Sequence, residues 1–446
     1  MNAWLPELIY TEGRFQSGRA LVCDEAGKID RIVDATEVKD AIRLARRALL
    51  PGMVNAHSHA FQRVIRGRTE HRSQHSSDTF WTWREQMYAA ANRLGPQEIY
   101  DASRLAFLEM ALTGITAAGE FHYIHRAPDG SAYSDPNLLA REVMRAAHDV
   151  GIRIALLRVA YARAGYQTEA NPLQVRFIED SPEIYLKHLE GLLDTRAAGD
   201  GMNWVGIAPH SVRAVPLEYL KRIVGFAKER DLPVHMHVAE QPAEVNACIE
   251  EYGRSPVALL ETEGLLGKRF TAVHAIHVTP KAINAIARAG AIVCACPTTE
   301  RNLGDGVVPV DAYFNAGVTV GLGSDSQIQI DLLEDARELE YHLRLQKTAR
   351  NVLAPTDDTS SSALARRLFE CATVSGAKSI GFNGGTLTPG APADFFTVDL
   401  DDPSIAGASA DDLLANIVFS GSRAAVRDVV VGGKRIVEEG RHFSHR

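Results

Sequence analysis

The chain has 446 residues, 46% hydrophobic and 23% charged, the balance of an ordinary soluble globular protein able to bury a sizeable core without disulfide or metal staples. Its formal charge is -8, with 48 Lys and Arg scattered among 56 Asp and Glu, so it offers no electrostatic footprint for nucleic acid. No apolar run reaches membrane-spanning length, the first residues do not read as a signal peptide, and five cysteines without a Cys-x-x-Cys fit a reducing cytoplasm better than a disulfide framework.

Residues 1–52 read as short strands and turns: Leu8 to Tyr10, Arg19 to Asp24 and Ile29 to Val33, punctuated by Gly13, Gly18 and Gly27. A buried strand follows at Met53 to Ala56. Gly95-Pro96 opens a helix with Leu105, Leu108 and Leu112 at helical spacing and Gly114 as its cap. Thr116 to Phe121 reads as a strand, then comes a long loop, then a helix from Leu138 to Val150. Further apolar runs at Arg153 to Ala160, Trp204 to Ala208, Pro233 to Val238, Thr271 to Ile276, Ala291 to Cys296 and Val318 to Gly323 bring the strands to eight. From about Gly384 the short-strand texture returns, with Asp394 to Asp399, Ile417 to Ser420 and Val426 to Val431, then a Gly432-Gly433 hairpin into Lys434 to Val437.

Eight strands separated by helical segments predict an α/β fold, a (β/α)8 TIM-type barrel over residues 53–382. The flanking segments 1–52 and 383–446 predict a small composite β domain of sandwich type built from both termini. A doubly wound sheet is the alternative, but no Gly-x-Gly-x-x-Gly opens a helix after the first strand.

Chemistry in such barrels sits at the C-terminal strand ends, and metal-ligand residue types fall there. His57 and His59 are two apart, so they share a face of the first strand; His237 ends the fifth and Asp325 follows the eighth. Three imidazoles and a carboxylate suit one catalytic divalent metal ion, zinc first among the candidates, which lowers the pKa of bound water. Asp325 would accept the water proton. Glu240, three residues past His237, could carry a proton to a leaving nitrogen, and His274 could steady a bound water or oxyanion. The plain alternatives are a solvated loop carboxylate for Glu240 and a satisfied core histidine for His274. His235 shares the strand face of His237 one layer deeper and reads as core. Cys294 and Cys296 could ligate a soft metal, but buried free cysteine usually fills space.

The strings Leu50-Pro51-Gly52-Met53-Val54-Asn55-Ala56-His57-Ser58-His59, His237 with Glu240, His274, Gly323-Ser324-Asp325 and Gly390-Ala391-Pro392-Ala393-Asp394-Phe395 resemble the amidohydrolase superfamily of metal-dependent hydrolases. Binuclear members use a bridging residue, often a modified lysine, at the end of the fourth strand; here that strand ends Ile207-Ala208-Pro209-His210, which implies one metal. The His-x-x-Glu pairing resembles the deaminase branch.

Within that branch, His59-Ala60-Phe61-Gln62-Arg63, Phe80 to Tyr88, Gly119 to Tyr123, Pro209 to Arg213 and His237 to Gln241 are similar to the formiminoglutamate deiminases of histidine breakdown. That resemblance implies hydrolysis of N-formimino-L-glutamate to N-formyl-L-glutamate and ammonia. It also implies that Gln62, Arg84, Tyr123, His210 and Arg213 hold a small dicarboxylate amidine, and that the chain forms a homodimer. Paired arginines suit such a substrate, since guanidinium forks match carboxylates. Trp81 and Trp83 could contact it or anchor the loop to the barrel mouth. The rival readings are a deaminase of aminated heteroaromatic rings such as guanine, a cyclic-amide hydrolase that releases no ammonia, and a catalytically silent barrel used as a scaffold or binding module.

Overall fold

The computed structural model describes residues 2–72, 78–193 and 201–443. Five strands open the chain: β1 (Asn2–Thr11), β2 (Arg14–Ser17), β3 (Arg19–Cys23), β4 (Ile29–Asp34) and β5 (Ile42–Pro51). Eight parallel strands follow: β6 (Met53–Ser58), β7 (Ile115–His122), β8 (Arg153–Ala160), β9 (Asn203–Pro209), β10 (Val234–Val238), β11 (Phe270–His274), β12 (Ile292–Ala295) and β13 (Thr319–Leu322). They pair in sequence order, each with the next. Just past the strand ends, Asp325 N–H donates to the His57 carbonyl at 3.0 Å and His59 N–H to the Asp325 carbonyl at 3.0 Å, so the first and last strands meet. This is the predicted (β/α)8 barrel, and β7, β8 and β10 are buried along their whole length, as strands packed on both faces must be.

Ala56, Val273, Cys294 and Cys296 pack together in a cluster of their own, which gives the two cysteines the small-filler role. His235, fully buried on β10, donates from Nε2 to the Ser379 carbonyl at 2.9 Å, with its Nδ1 buried and unpartnered, and belongs to the core rather than to the histidine cluster.

The C-terminal strands β14 (Phe395–Asp399), β15 (Val426–Val431), β16 (Lys434–Glu438) and β17 (Arg441–His442) join the N-terminal ones in one nine-stranded sheet. The two ends of the chain meet where β14 runs antiparallel to β5, Phe395 opposite Pro51. Trp4, Ile9, Leu21, Leu49, Phe395 and Val430 form a core of their own there, with the Trp4 and Phe395 rings edge to face at 5.2 Å.

Three expectations need correction. Ile417 to Ser420 is not a strand: it ends the helix Leu413–Phe419, which buries Leu413, Leu414, Ile417 and Val418 on one side. The β-branched pair Ile417-Val418 is a strand signal that helical packing overrides. Strands β2, β5 and β17 were not expected at all. Leu105 is 40% exposed, because the helix Pro96–Leu112 turns Ala102, Ala106, Phe107 and Met110 inward instead.

Candidate active site

The fully buried β6 delivers His57 from its end and His59 one residue beyond. Their Nε2 atoms lie 3.1 Å apart, and Asp325 Oδ1 lies 3.5 Å from the first and 3.2 Å from the second. The His237 ring stands 5.0 Å from that of His57 and 5.5 Å from that of His59, centroid to centroid. One ligand atom from each of the four lies within 4.8 Å of all the others.

The imidazoles are prepared as ligands. His59 Nδ1 donates to the Phe121 carbonyl at 2.9 Å and His237 Nδ1 to the His210 carbonyl at 3.0 Å, which leaves both Nε2 lone pairs facing the cluster. Burial drives His57 down to about 3 and His237 well below the usual imidazole range, so both are neutral. Burial would raise Asp325, but the rings of His57 and His59 against it hold its carboxyl well below the ordinary value. Three imidazole nitrogens and a carboxylate in a buried cluster fit one divalent ion with a position left for water.

Beneath the cluster, His274 is fully buried among carboxylates rather than apolar groups. Its Nδ1 lies 3.2 Å from Glu300 Oε1, and its Nε2 lies 3.4 Å from Glu240 Oε1 and 3.7 Å from Asp325 Oδ2. Burial opposes its charge, yet Glu240, Glu300 and Asp325 outweigh burial and lift its pKa well above the usual range. Glu240 is itself raised by burial. Ala239, His274 and Asp325 all have positive φ, 52°, 67° and 48°, so the backbone at the strand ends is strained where these side chains are aimed.

Gln62, Arg84, Tyr123, His210 and Arg213 line one pocket with His59, His237, Glu240 and Asp325. Gln62 Nε2 donates to Tyr123 Oη at 3.0 Å, and His210 packs edge-on against Tyr161 with centroids 4.6 Å apart. Arg84 comes from the helix Phe80–Ala91, its guanidinium carbon 4.5 Å from the centre of the Trp81 ring; Arg213 approaches the same ring at 5.9 Å. No carboxylate lies within ion-pairing distance of either arginine among the described residues, and Arg84 Nε and Nη1 are buried without partners. Trp83 lines the pocket, whereas Trp81 lies under the arginines outside the lining. Trp83 and Leu303 also line a neighbouring cleft of about 620 Å³.

Sequence reading missed the groups that support these side chains. Glu120, at the end of β7, accepts from Ser58 Oγ at 2.6 Å and from the Ala60 N–H at 2.8 Å, and burial pushes its carboxyl up to about 7. Gln327 donates to the same Ser58 hydroxyl at 2.7 Å and accepts from Ser324 at 2.9 Å, tying the histidine loop to the aspartate loop. A glutamate inside the apolar run Thr116 to Phe121 was the available signal for Glu120. Glu300, four residues past Cys296 in a helix start, carried none.

The sequence matches the Amidohydrolase family over residues 48–436. It is 40% identical over 397 residues to a formimidoylglutamate deiminase of Pseudomonas aeruginosa, covering 89% of this chain and 86% of that one. It is 28% identical over 438 residues to a 5-methylthioadenosine/S-adenosylhomocysteine deaminase of Halobacterium salinarum, covering 97% and 91%. Among solved structures, an amidohydrolase from Brucella melitensis superposes with a TM-score of 0.91 at 35% identity, covering 99% of this chain and 96% of that one. The chain therefore belongs to the amidohydrolase family.

Proposed function

We propose that this protein is a hydrolytic deaminase that converts N-formimino-L-glutamate and water into N-formyl-L-glutamate and ammonia, a step of histidine breakdown. The observation that carries the substrate is the pair Arg84 and Arg213 near the Trp81 ring, neither with a carboxylate partner among the described residues, in a pocket that also takes in the histidine cluster. Arg213 Nη1 donates to the Ala164 carbonyl at 3.2 Å, but the buried Nε and Nη1 of Arg84 lack acceptors, and a substrate with two carboxylates supplies acceptors that match guanidinium forks. The identity of 40% to a formimidoylglutamate deiminase supports the same reading.

One divalent ion, zinc by the donor set, would be held by His57, His59, His237 and Asp325, and when bound it lowers the pKa of a coordinated water and polarises the carbon under attack. The chain's own groups then handle the protons. Asp325 accepts a proton from the attacking water. His274 donates from Nε2 toward the oxygen that gains charge at the former formimino carbon. Glu240, whose carboxyl burial raises, gives a proton to the terminal nitrogen. Asp325 then passes the proton it took to the same nitrogen while Glu240 takes the remaining hydroxyl proton, so the C–N bond breaks, the carbonyl forms, ammonia leaves and both carboxyls return to their starting states.

Single replacements Arg84→Ala and Arg213→Ala test the reading. Each should raise KM for N-formimino-L-glutamate by about 10- to 100-fold, the loss of one charge-assisted hydrogen bond, with a smaller change in kcat. Unchanged KM in both variants would contradict the dicarboxylate assignment and favour a ring substrate stacked on Phe80 and Trp83, which also line the pocket.

A further inference from the structure

Between the pocket wall and the loop after β8 lies a buried set of hydroxyls that the reaction above does not use. Gln174, 1% exposed, ends the short 3-10 turn Pro172–Gln174. Its amide nitrogen donates to Tyr88 Oη at 2.9 Å and to Tyr161 Oη at 2.8 Å, and the two phenol oxygens are 3.2 Å apart. Phe177, fully buried, packs on Tyr88, Tyr123 and Tyr161 and fills the space between them.

Both phenol oxygens accept from Gln174, and only one phenol proton is consumed in the bond between them, so the other needs a third acceptor. No side chain other than Gln174, whose own Oε1 is buried without a partner, supplies one among the described residues. Of the two tyrosines only Tyr88 lines the pocket, and the guanidinium carbon of Arg84 lies 5.4 Å from the centre of its ring. Tyr88 is therefore the phenol of the pair that can turn a proton toward the pocket, beside the two unpartnered nitrogens of Arg84.

The backbone around this set is pinned. Arg176 sends its guanidinium to the carbonyls of Ala91 and Leu94 at the end of the Tyr88 helix, and its Nε to the Arg126 carbonyl at 2.9 Å. Asn92 Nδ2 donates to the Leu173 carbonyl at 2.7 Å. Helix and loop are thus fixed at the point where Gln174 meets Tyr88.

We propose that Tyr88 is a further substrate-binding residue, which donates its hydroxyl to one carboxylate of the substrate together with Arg84, and that Tyr161 and Gln174 are positioning residues that aim that proton. This rests on the dicarboxylate reading given above.

The test uses metal-loaded wild type, Tyr88→Phe and Gln174→Leu with N-formimino-L-glutamate and two analogues that each keep one carboxylate, N-formiminoglycine and N-formimino-γ-aminobutyrate. Tyr88→Phe should lower kcat/KM for the full substrate about tenfold, mainly through KM, and for only one analogue, the one that keeps the gripped carboxylate. Gln174→Leu should show the same selectivity at smaller size. Should Gln174→Leu not fold, Tyr161→Phe removes the relay hydroxyl at almost constant volume. Equal losses on both analogues, or no loss on the full substrate, overturn the assignment. A wild type inert toward all three compounds overturns the functional reading instead. The hydroxyl is then judged by tryptophan fluorescence titration with N-formyl-L-glutamate: weaker binding by Tyr88→Phe supports it, and equal binding, or none by wild type, overturns it.

Discussion

At the residue scale, what distinguishes this site is where charge is left unpaired. His57 and His237 are held neutral by burial, while Asp325 is held ionised by the histidines around it, so ligands and base are set before anything binds. Asp325→Asn keeps a possible ligand oxygen but cannot take a proton, and Glu240→Gln cannot give one. Each should cut turnover by about 100- to 10,000-fold with the melting temperature of the metal-loaded protein little changed, as steady-state ammonia release and thermal denaturation will show. Turnover near that of wild type in either variant contradicts the role given to that residue. The clustering of His57, His59, His237 and Asp325 was readable from the sequence because strand ends announce themselves: an apolar run stops and a histidine or aspartate follows. The partners of His274 were not, since Glu300 reaches it from a helix start after another strand.

At the element scale, the site depends on how closely β6 and the turn after β13 approach. A Cβ on Gly323 would fall 2.8 Å from both the Cβ and the carbonyl oxygen of His57, inside the distance real side chains tolerate. Gly323→Ala should therefore push the Asp325 turn away from the histidine loop and weaken metal affinity by about 10- to 100-fold, the size of effect seen when ligand supports are lost. Metal titration against a competing chelator measures this; unaltered affinity would show that the turn can shift without disturbing the ligands.

The same scale shows why β5 escaped sequence reading while the barrel strands did not. Buried barrel strands are unbroken apolar runs, but β5 carries Arg43, Arg46 and Arg47, and Arg46 sits at φ 57° beside a register shift against β1. Alternation of period two is broken at such a bulge, so the pattern that marks a strand is missing. Tyr88 and Leu303, which wall the pocket, come from helices whose approach to the barrel mouth no local spacing encodes.

At the scale of the whole molecule, the barrel and the nine-stranded sheet are joined by a buried charge pair. Arg153, at the start of β8, donates from Nε and Nη2 to the Asp394 carboxylate at 2.7 and 3.0 Å, with 6% and 1% of the two side chains exposed. Asp394 also accepts from the Gly432 N–H at 2.7 Å, so one carboxylate holds the start of a barrel strand and the hairpin of the sheet. Arg153→Ala leaves that carboxylate buried and unpaired and should cost about 3–5 kcal/mol, measurable by chemical denaturation of the metal-loaded protein. A loss below about 1 kcal/mol, the range of surface pairs, would mean that water reaches Asp394.

The large-scale plan was legible because it follows from the order of strands and helices. The union of the termini was legible as texture, short strands at both ends, though not as the pairing of β5 with β14. The proposed substrate rests on where the scales meet: candidate metal ligands from strand ends, arginines from a helix and a loop, and a pocket between them.

The central claim is tested most directly by kcat/KM for ammonia release from N-formimino-L-glutamate, measured beside 5-methylthioadenosine, S-adenosylhomocysteine and guanine with the same zinc-loaded protein. The account predicts a preference for the formimino dicarboxylate of at least about 1,000-fold, the discrimination expected when buried charged groups go unpaired with the wrong substrate. Faster release from any of the ring compounds would keep the metal site and contradict the assignment of Arg84 and Arg213 to the substrate's carboxylates.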